Sequence, residues 1–225
     1  MRNNYDRIAR YYDVLSRMVF FRAQLKAQID QLHFIPANSS VLIVGGGTGW
    51  ILEEIAKLHS FGLRITYVEI SAKMLELSRK RNVRDNQVTF VHSPAEELSK
   101  SIPEDHDQNR AEDLKQNAPA TYDVILTAFL FDNFQQQTIT KVFNLLDQSL
   151  NPSGFWLFSD FYHSEGKKWQ SYLLKAMYLF FKQISNIEAR QLLSTEHCFH
   201  EQSYHILQTR FYYGKFIKSV VYQKT

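Results

Sequence analysis

The sequence predicts an α/β chain built on an open, mostly parallel sheet, with an antiparallel strand at its C-terminal edge and helices on both faces. Three observations carry this. Short apolar runs alternate with stretches of helical periodicity along most of the chain. One of those runs, Val41-Leu42-Ile43-Val44, is wholly apolar and ends in Gly45-Gly46-Gly47-Thr48-Gly49, as expected of a strand buried on both faces before a tight turn. Near the C-terminus, Tyr204–Phe211 and Phe216–Tyr222 flank Gly214 and look like an antiparallel pair.

Taken in order, Tyr5, Ile8, Ala9, Tyr12, Leu15, Ser16 and Val19 fall at helical spacing and form an apolar-leaning face. A second helix is expected from Phe21 to Leu32, stopping before Pro36. After the Val41–Val44 strand comes a helix from Trp50 to His59, then a strand over Arg64–Glu69. Ser71 is a good N-cap for the helix that follows. Val88–Val91 and Tyr122–Thr127 read as the third and fourth strands, with a helix from Gln135 to Leu150 after the latter. Asn151-Pro152-Ser153-Gly154 is a turn by composition, and Phe155–Ser159 is the fifth strand.

Two stretches interrupt the alternation. Residues 99–120 are polar and charged, which reads as a surface loop or a short exposed helix. Trp169, Tyr172, Leu173, Ala176, Met177, Phe180, Phe181 and Ile184 make a long apolar face at helical spacing, a core or lid helix whose polar side lacks the lysines and arginines of a membrane anchor.

The composition is that of a globular protein, 44% hydrophobic and 22% charged over 225 residues, enough for one generous domain. Aromatic residues reach 14%, which suits either a well-filled core or a pocket for a flat, apolar ligand. A net charge of +3 with no basic block argues against nucleic acid. The short run Arg79-Lys80-Arg81 falls late in a predicted helix, where cations offset the helix dipole. Cys198 is the only cysteine, so neither an intramolecular disulfide nor a Cys-rich zinc site is expected, and it reads as a small buried hydrophobe beside Phe199. No metal site is expected. Met1-Arg2-Asn3-Asn4 leads into a mixed helix rather than an apolar run, so no signal peptide is expected; no run is long enough for a membrane span, and a reducing cytoplasm fits.

The glycines carry the chemistry. A strand entering a glycine-rich turn and then a helix brings backbone against a ligand at the strands' carboxyl ends. A dinucleotide fingerprint needs glycine at position 50, which is Trp50, and no Gly-Lys-Ser/Thr follows for a phosphate loop. What stands is G-x-G-x-G from Gly45, Gly47 and Gly49. Glu69, twenty residues after Gly49, ends the second strand, where a carboxylate can accept hydrogen bonds from two ribose hydroxyls.

From Val41 to Phe161 these residues resemble the class I S-adenosylmethionine-dependent methyltransferases, which implies a Rossmann-like sheet and S-adenosylmethionine as cofactor. Tyr67-Val68-Glu69-Ile70-Ser71 looks like the family's acidic strand end, with Met74 near the adenine. Val88–Leu98 resembles the third-strand motif, placing Ser93, Pro94 and Ala95 beside the adenine. Tyr122–Phe129 resembles the fourth-strand motif, with Thr127 and Phe129 beside the methionine part. The opening Tyr5–Asp13 is similar to the helix of the ubiquinone/menaquinone branch that covers the cofactor, which puts Tyr12 in the set. Gly45, Gly46, Gly47, Gly49, Glu69 and Ile70 complete it. The resemblance divides one domain over 1–225 into a helical cap (1–35), a cofactor-binding core (36–161) and a lid helix with the hairpin (162–225).

Two positions depart from the family. Its usual acid two residues before the first glycine is Ile43 here, and the Asp of its third-strand Asp–Ala pair is Pro94, leaving the Ala95 N–H to read the ring. These losses support a rival reading, a nucleoside-binding or regulatory protein that has kept the fold without the activity. The glycine turn followed by Val-Glu-Ile also resembles the aminopropyltransferases, but those have Asp where Thr48 stands and acidic clusters for a cationic amine.

Within methyl transfer, the sequence has no Asn/Asp-Pro-Pro-Tyr motif and no Pro-Cys nucleophile for a nucleic-acid acceptor. A small-molecule acceptor, aromatic or apolar, is therefore expected, with the chain a monomer or homodimer. Proximity and exclusion of water can suffice, and a general base helps if the nucleophile is a hydroxyl or an activated carbon. Asp132, after the fourth strand, and His163, after the fifth, are the candidates. Asp132 reads equally as a cap for the next helix, and His163 as a surface loop residue.

Overall fold

The structure is a computed structural model and describes residues 22–100, 121–164, 166–175 and 192–225. The helix expected over Tyr5–Val19, including Tyr12, lies outside those residues, as do 101–120 of the polar segment and the Ala176–Ile184 part of the long apolar face.

Seven strands form one sheet in the order β3-β2-β1-β4-β5-β7-β6. They are β1 (Ser40–Val44), β2 (Phe61–Glu69), β3 (Asp85–His92), β4 (Tyr122–Ala128), β5 (Leu150–Phe161), β6 (His205–Tyr212) and β7 (Ile217–Gln223). β1 pairs in parallel with both β2 and β4, while β7 runs antiparallel between β5 and β6. The chain moves outward from β1 to β3, then returns to β4 on the other side of β1. That reversal opens a crevice at the carboxyl ends of β1 and β4, where open α/β sheets bind ligands.

Several strands are longer than their apolar patterns suggest, because ladder pairing extends into polar residues at the sheet's margin. The turn expected at Asn151–Gly154 is a bulge inside β5: Leu150 pairs with Tyr122 and Phe155 with Val124, so five residues advance against two. Ser153, at φ +62, takes the bend.

The helices follow their apolar spacing. Helix α1 (Ala23–Ile29) is shorter than the predicted Phe21–Leu32 and gives way to a 3-10 turn at Leu32–Phe34 ahead of Pro36. Helix α2 (Trp50–Leu58) buries Ile51, Leu52, Ile55 and Ala56. Ser71 caps α3 (Ala72–Ser78), its hydroxyl accepting the Met74 N–H at 3.2 Å. Helix α4 (Gln136–Ser149) buries Ile139, Val142, Phe143 and Leu146, each worth about 1.5–3 kcal/mol on transfer from water. A helical segment covers 168–175, and α5 (Glu196–Glu201) precedes the hairpin.

Separate cores cover the two faces. One joins β1, β2 and the centre of the sheet to α2 and α3. The other is strongly aromatic: Phe143, Trp156, Phe158, Phe199, Tyr204 and Tyr222 pack together, with Phe199 and Tyr222 stacked at 3.8 Å. Much of the chain's aromatic content is thus spent on core. Cys198 is buried in the same cluster.

Candidate functional site

The glycine turn leaves β1 under tight control. The Gly45 N–H donates to the Val68 carbonyl at 2.9 Å. Gly47 is held twice from β2: the Tyr67 hydroxyl donates to its carbonyl at 3.0 Å, and Glu69 Oε2 accepts its N–H at 2.8 Å. Tyr67 and Glu69 are two apart on one strand and therefore share a face. At Gly49, φ is +79, and an added Cβ would stand 2.7 Å from Ser78 Cα. Glycine is required there by both conformation and the approach of α3.

The carboxylate of Glu69 is the focus. It is buried, and its second oxygen accepts the Ser71 N–H at 2.8 Å. Burial raises its pKa above the ordinary value, against the opposing pull of backbone N–H groups from Ser71, Gly47 and Ile70. Each oxygen of a carboxylate has capacity for a second hydrogen bond. An added Cβ at Gly47 would meet nothing within 4 Å, so this glycine faces open space.

Residues 42–156, just over half of the chain, match a family model described as a methyltransferase domain. The chain belongs to the class I S-adenosylmethionine-dependent methyltransferases. Solved structures of the same fold include the pyocyanin biosynthetic protein PhzM, at 13% identity and TM-score 0.61, with 100% of this chain and 62% of that one covered. CalO1, a methyltransferase of calicheamicin biosynthesis in its S-adenosylhomocysteine-bound form, aligns at 15% identity and TM-score 0.61, over 96% of this chain and 56% of CalO1. The 1,6-didemethyltoxoflavin-N1-methyltransferase of Burkholderia thailandensis, bound to 1,6-didemethyltoxoflavin and S-adenosylhomocysteine, aligns at 15% identity and TM-score 0.58, over 99% and 87%. This chain thus spans less than two thirds of PhzM and of CalO1. At such identities the likeness is one of fold. No curated protein matches the sequence.

The residues present fit the methyltransferase cofactor. Glu69 has acceptor capacity at the end of β2, and Gly47 leaves room for a ligand against the loop. Ile70, 42% exposed, offers an apolar surface next to Glu69. His92, also exposed, donates from Nε2 to the Ile70 carbonyl at 2.9 Å and fixes that corner. Ser93 is buried, its N–H donating to the Glu69 carbonyl at 3.2 Å, and Pro94 and Ala95 follow directly. Gly45 is exposed and Gly46 half-buried.

Two residues of the expected set are buried. The Thr127 hydroxyl accepts the Trp156 indole N–H at 2.9 Å inside the aromatic core, because its side chain leaves β4 on that face. Met74 is buried among the helix–sheet contacts of α3.

At the ends of β4 and β5 the chain turns sharply. Phe129 has φ +53, a conformation that costs a non-glycine residue about 1–2 kcal/mol, and its ring lies 5.0 Å from that of Phe161. A 3-10 turn, Phe131–Asn133, follows. Asp160 is buried beside it and accepts the Phe161 N–H at 2.8 Å, with the backbone N–H groups of Phe131 and Asp132 nearby. Asp132 is half-buried and accepts from Asn133 Nδ2 at 2.8 Å. Burial and then the Asp160 charge push Asp132 well above its ordinary value. Burial also raises Asp160, to about 7, despite those N–H donors. The pair therefore retains a proton near neutrality that ordinary carboxyls would have lost. Asp132 does not cap α4, whose N-cap is Gln135. His163 is exposed and bonded through Nε2 to Ser171 Oγ at 2.9 Å.

Three residues of this region were not assigned to the site from sequence. Asp160 lies at a strand end, as Glu69 does, and that position was its available signal. Tyr67 stands two before Glu69, where its facing was legible but its partner was not. Arg81 belongs to the basic run, which falls just beyond the end of α3; instead of serving the dipole, its Nε donates to the Thr48 carbonyl at 2.9 Å. No helix among the described residues is long and apolar enough to cross a membrane.

Proposed function

We propose that this chain transfers a methyl group from S-adenosylmethionine, in line, to a small aromatic or apolar metabolite in the cytoplasm, as a monomer or homodimer. The observation that carries the reading is the convergence of two groups of residues on one end of the sheet. The loop of Gly45, Gly47 and Gly49 with Glu69 lies at the ends of β1 and β2, and Phe129, Asp132 and Asp160 lie beside it at the ends of β4 and β5. The cofactor supplies a methyl group on a sulfonium, ready for displacement by a nucleophile.

The chain's own residues supply position and proton acceptance. Glu69 and the glycine loop hold the nucleoside, with Ile70, Ser93, Pro94 and Ala95 around the base. The Phe129–Phe161 ring pair offers an apolar wall to an aromatic acceptor. Asp132 takes the proton from the acceptor's hydroxyl, amine or carbon acid. A carboxyl whose pKa is raised toward neutrality is a stronger base, once ionised, than an ordinary carboxylate. His163, exposed near the same strand end, is the second candidate for that role.

The test is methyl transfer from labelled S-adenosylmethionine to a panel of phenols, aromatic amines and nitrogen heterocycles. The reading expects turnover of at least one class, reduced roughly 100-fold or more by Asp132→Asn, in the range of a lost general base. Turnover unaffected by Asp132→Asn removes Asp132 from the chemistry, and labelling of nucleic acid instead of small molecules overturns the acceptor class.

A further inference from the structure

Gly47 lies at the centre of the loop against which the cofactor must rest, and β2 holds both polar groups of its backbone. Glu69 accepts the N–H, and the Tyr67 hydroxyl donates to the carbonyl. Tyr67 is fully buried, with its ring in the core on the α2 and α3 side and 5.6 Å from the ring of Phe90. It cannot touch a ligand in the crevice. Its ring also fills the space beneath Gly46, so the loop rests directly on it. A trans peptide carries its C=O and N–H on opposite sides, so fixing the Gly47 carbonyl toward β2 fixes the whole plane joining Gly47 to Thr48. Arg81 holds the next carbonyl, that of Thr48, from the other flank.

We propose that Tyr67 is a positioning residue for the cofactor: its hydroxyl sets the peptide plane at Gly47 on which the ligand rests, while its ring supports the loop from below. The inference rests on the cofactor reading of this loop. A role in packing alone would be met by phenylalanine, which has the same ring.

The molecule contains its own control. Tyr122, on β4, is also buried and also donates from its hydroxyl into β2, to Thr66 Oγ1 at 3.0 Å, but within the sheet and away from the loop. Calorimetric titration with S-adenosylhomocysteine, paired with thermal denaturation of the free protein, compares wild type, Tyr67→Phe and Tyr122→Phe. The proposal expects Tyr67→Phe to bind roughly tenfold more weakly, the effect of one buried hydrogen bond. Tyr122→Phe, with a comparable loss of thermal stability, should bind as the wild type does. Unchanged affinity in Tyr67→Phe, or equal weakening in both variants, overturns the proposal and leaves the cofactor site standing. A wild type that binds no S-adenosylhomocysteine overturns both.

Discussion

The ring of Tyr67 occupies the space that a side chain at Gly46 would need. The triple glycine is therefore not one uniform flexible turn. Gly46 is small because β2 presses a tyrosine against it, whereas Gly47, with open space in front of it, sits at φ +65, where glycine is favoured. The first constraint is one of packing and the second one of backbone conformation.

This separation predicts a coupled pair. Gly46→Ala should destabilise the protein by about 1–3 kcal/mol through overpacking. Tyr67→Leu should return part of that loss, with a coupling of about 1 kcal/mol in a double-mutant cycle followed by thermal denaturation. Additive losses would mean that the ring yields freely.

Arg81 gives a second prediction. Its Nε bonds the Thr48 carbonyl, and its Nη1 lies 3.6 Å from Glu53 Oε1 in the first turn of α2. Arg81→Ala should weaken S-adenosylhomocysteine binding roughly three- to tenfold, as expected for loss of a partly buried, charge-assisted hydrogen bond. Arg81→Lys should recover little, because an ammonium lacks the planar fork that serves both partners. Full recovery by lysine would show that the charge alone matters.

The carboxyl pair predicts a pH dependence. Asp160 is raised in the folded state from an ordinary value of 3.8 to about 7. Between those values the native state binds more protons than the unfolded chain, so this group lowers stability as pH rises through that window. Asp160→Asn should remove much of that slope. The amide's donor, facing the Phe131 and Asp132 N–H groups, costs an amount that does not vary with pH. Melting temperatures of both proteins from pH 4 to 8 check this, and parallel profiles would contradict it.

How much of this was legible beforehand depended on the range of the interaction. The apolar run before Gly45 announced a buried strand, and Ser71 announced a helix start, because those signals lie within a few residues of what they specify. The spacing from Gly49 to Glu69 pointed to the strand end that meets the glycine loop, since one strand–turn–helix–strand unit fixes it. Tyr67 belongs to that same unit, yet no pattern says that its hydroxyl reaches the Gly47 carbonyl, and the Arg81 partner lies thirty-three positions away and depends on how α3 packs against the loop. No local pattern encodes that. The Thr127 position at a strand end was also readable, but not that Trp156, on the neighbouring strand β5, would donate to its hydroxyl. The bulge at Asn151–Gly154 likewise shows that turn composition marks a bend without saying whether the strand ends there.

The central claim is that the glycine loop and Glu69 together bind S-adenosylmethionine, and its most direct test is calorimetric titration with S-adenosylhomocysteine. The wild type should bind, and Glu69→Ala and Gly47→Val should each weaken binding at least roughly tenfold, the first by removing the ribose acceptor and the second by straining the loop at φ +65 and filling the open space before it. Binding that neither substitution alters, or no binding by the wild type, would contradict the account.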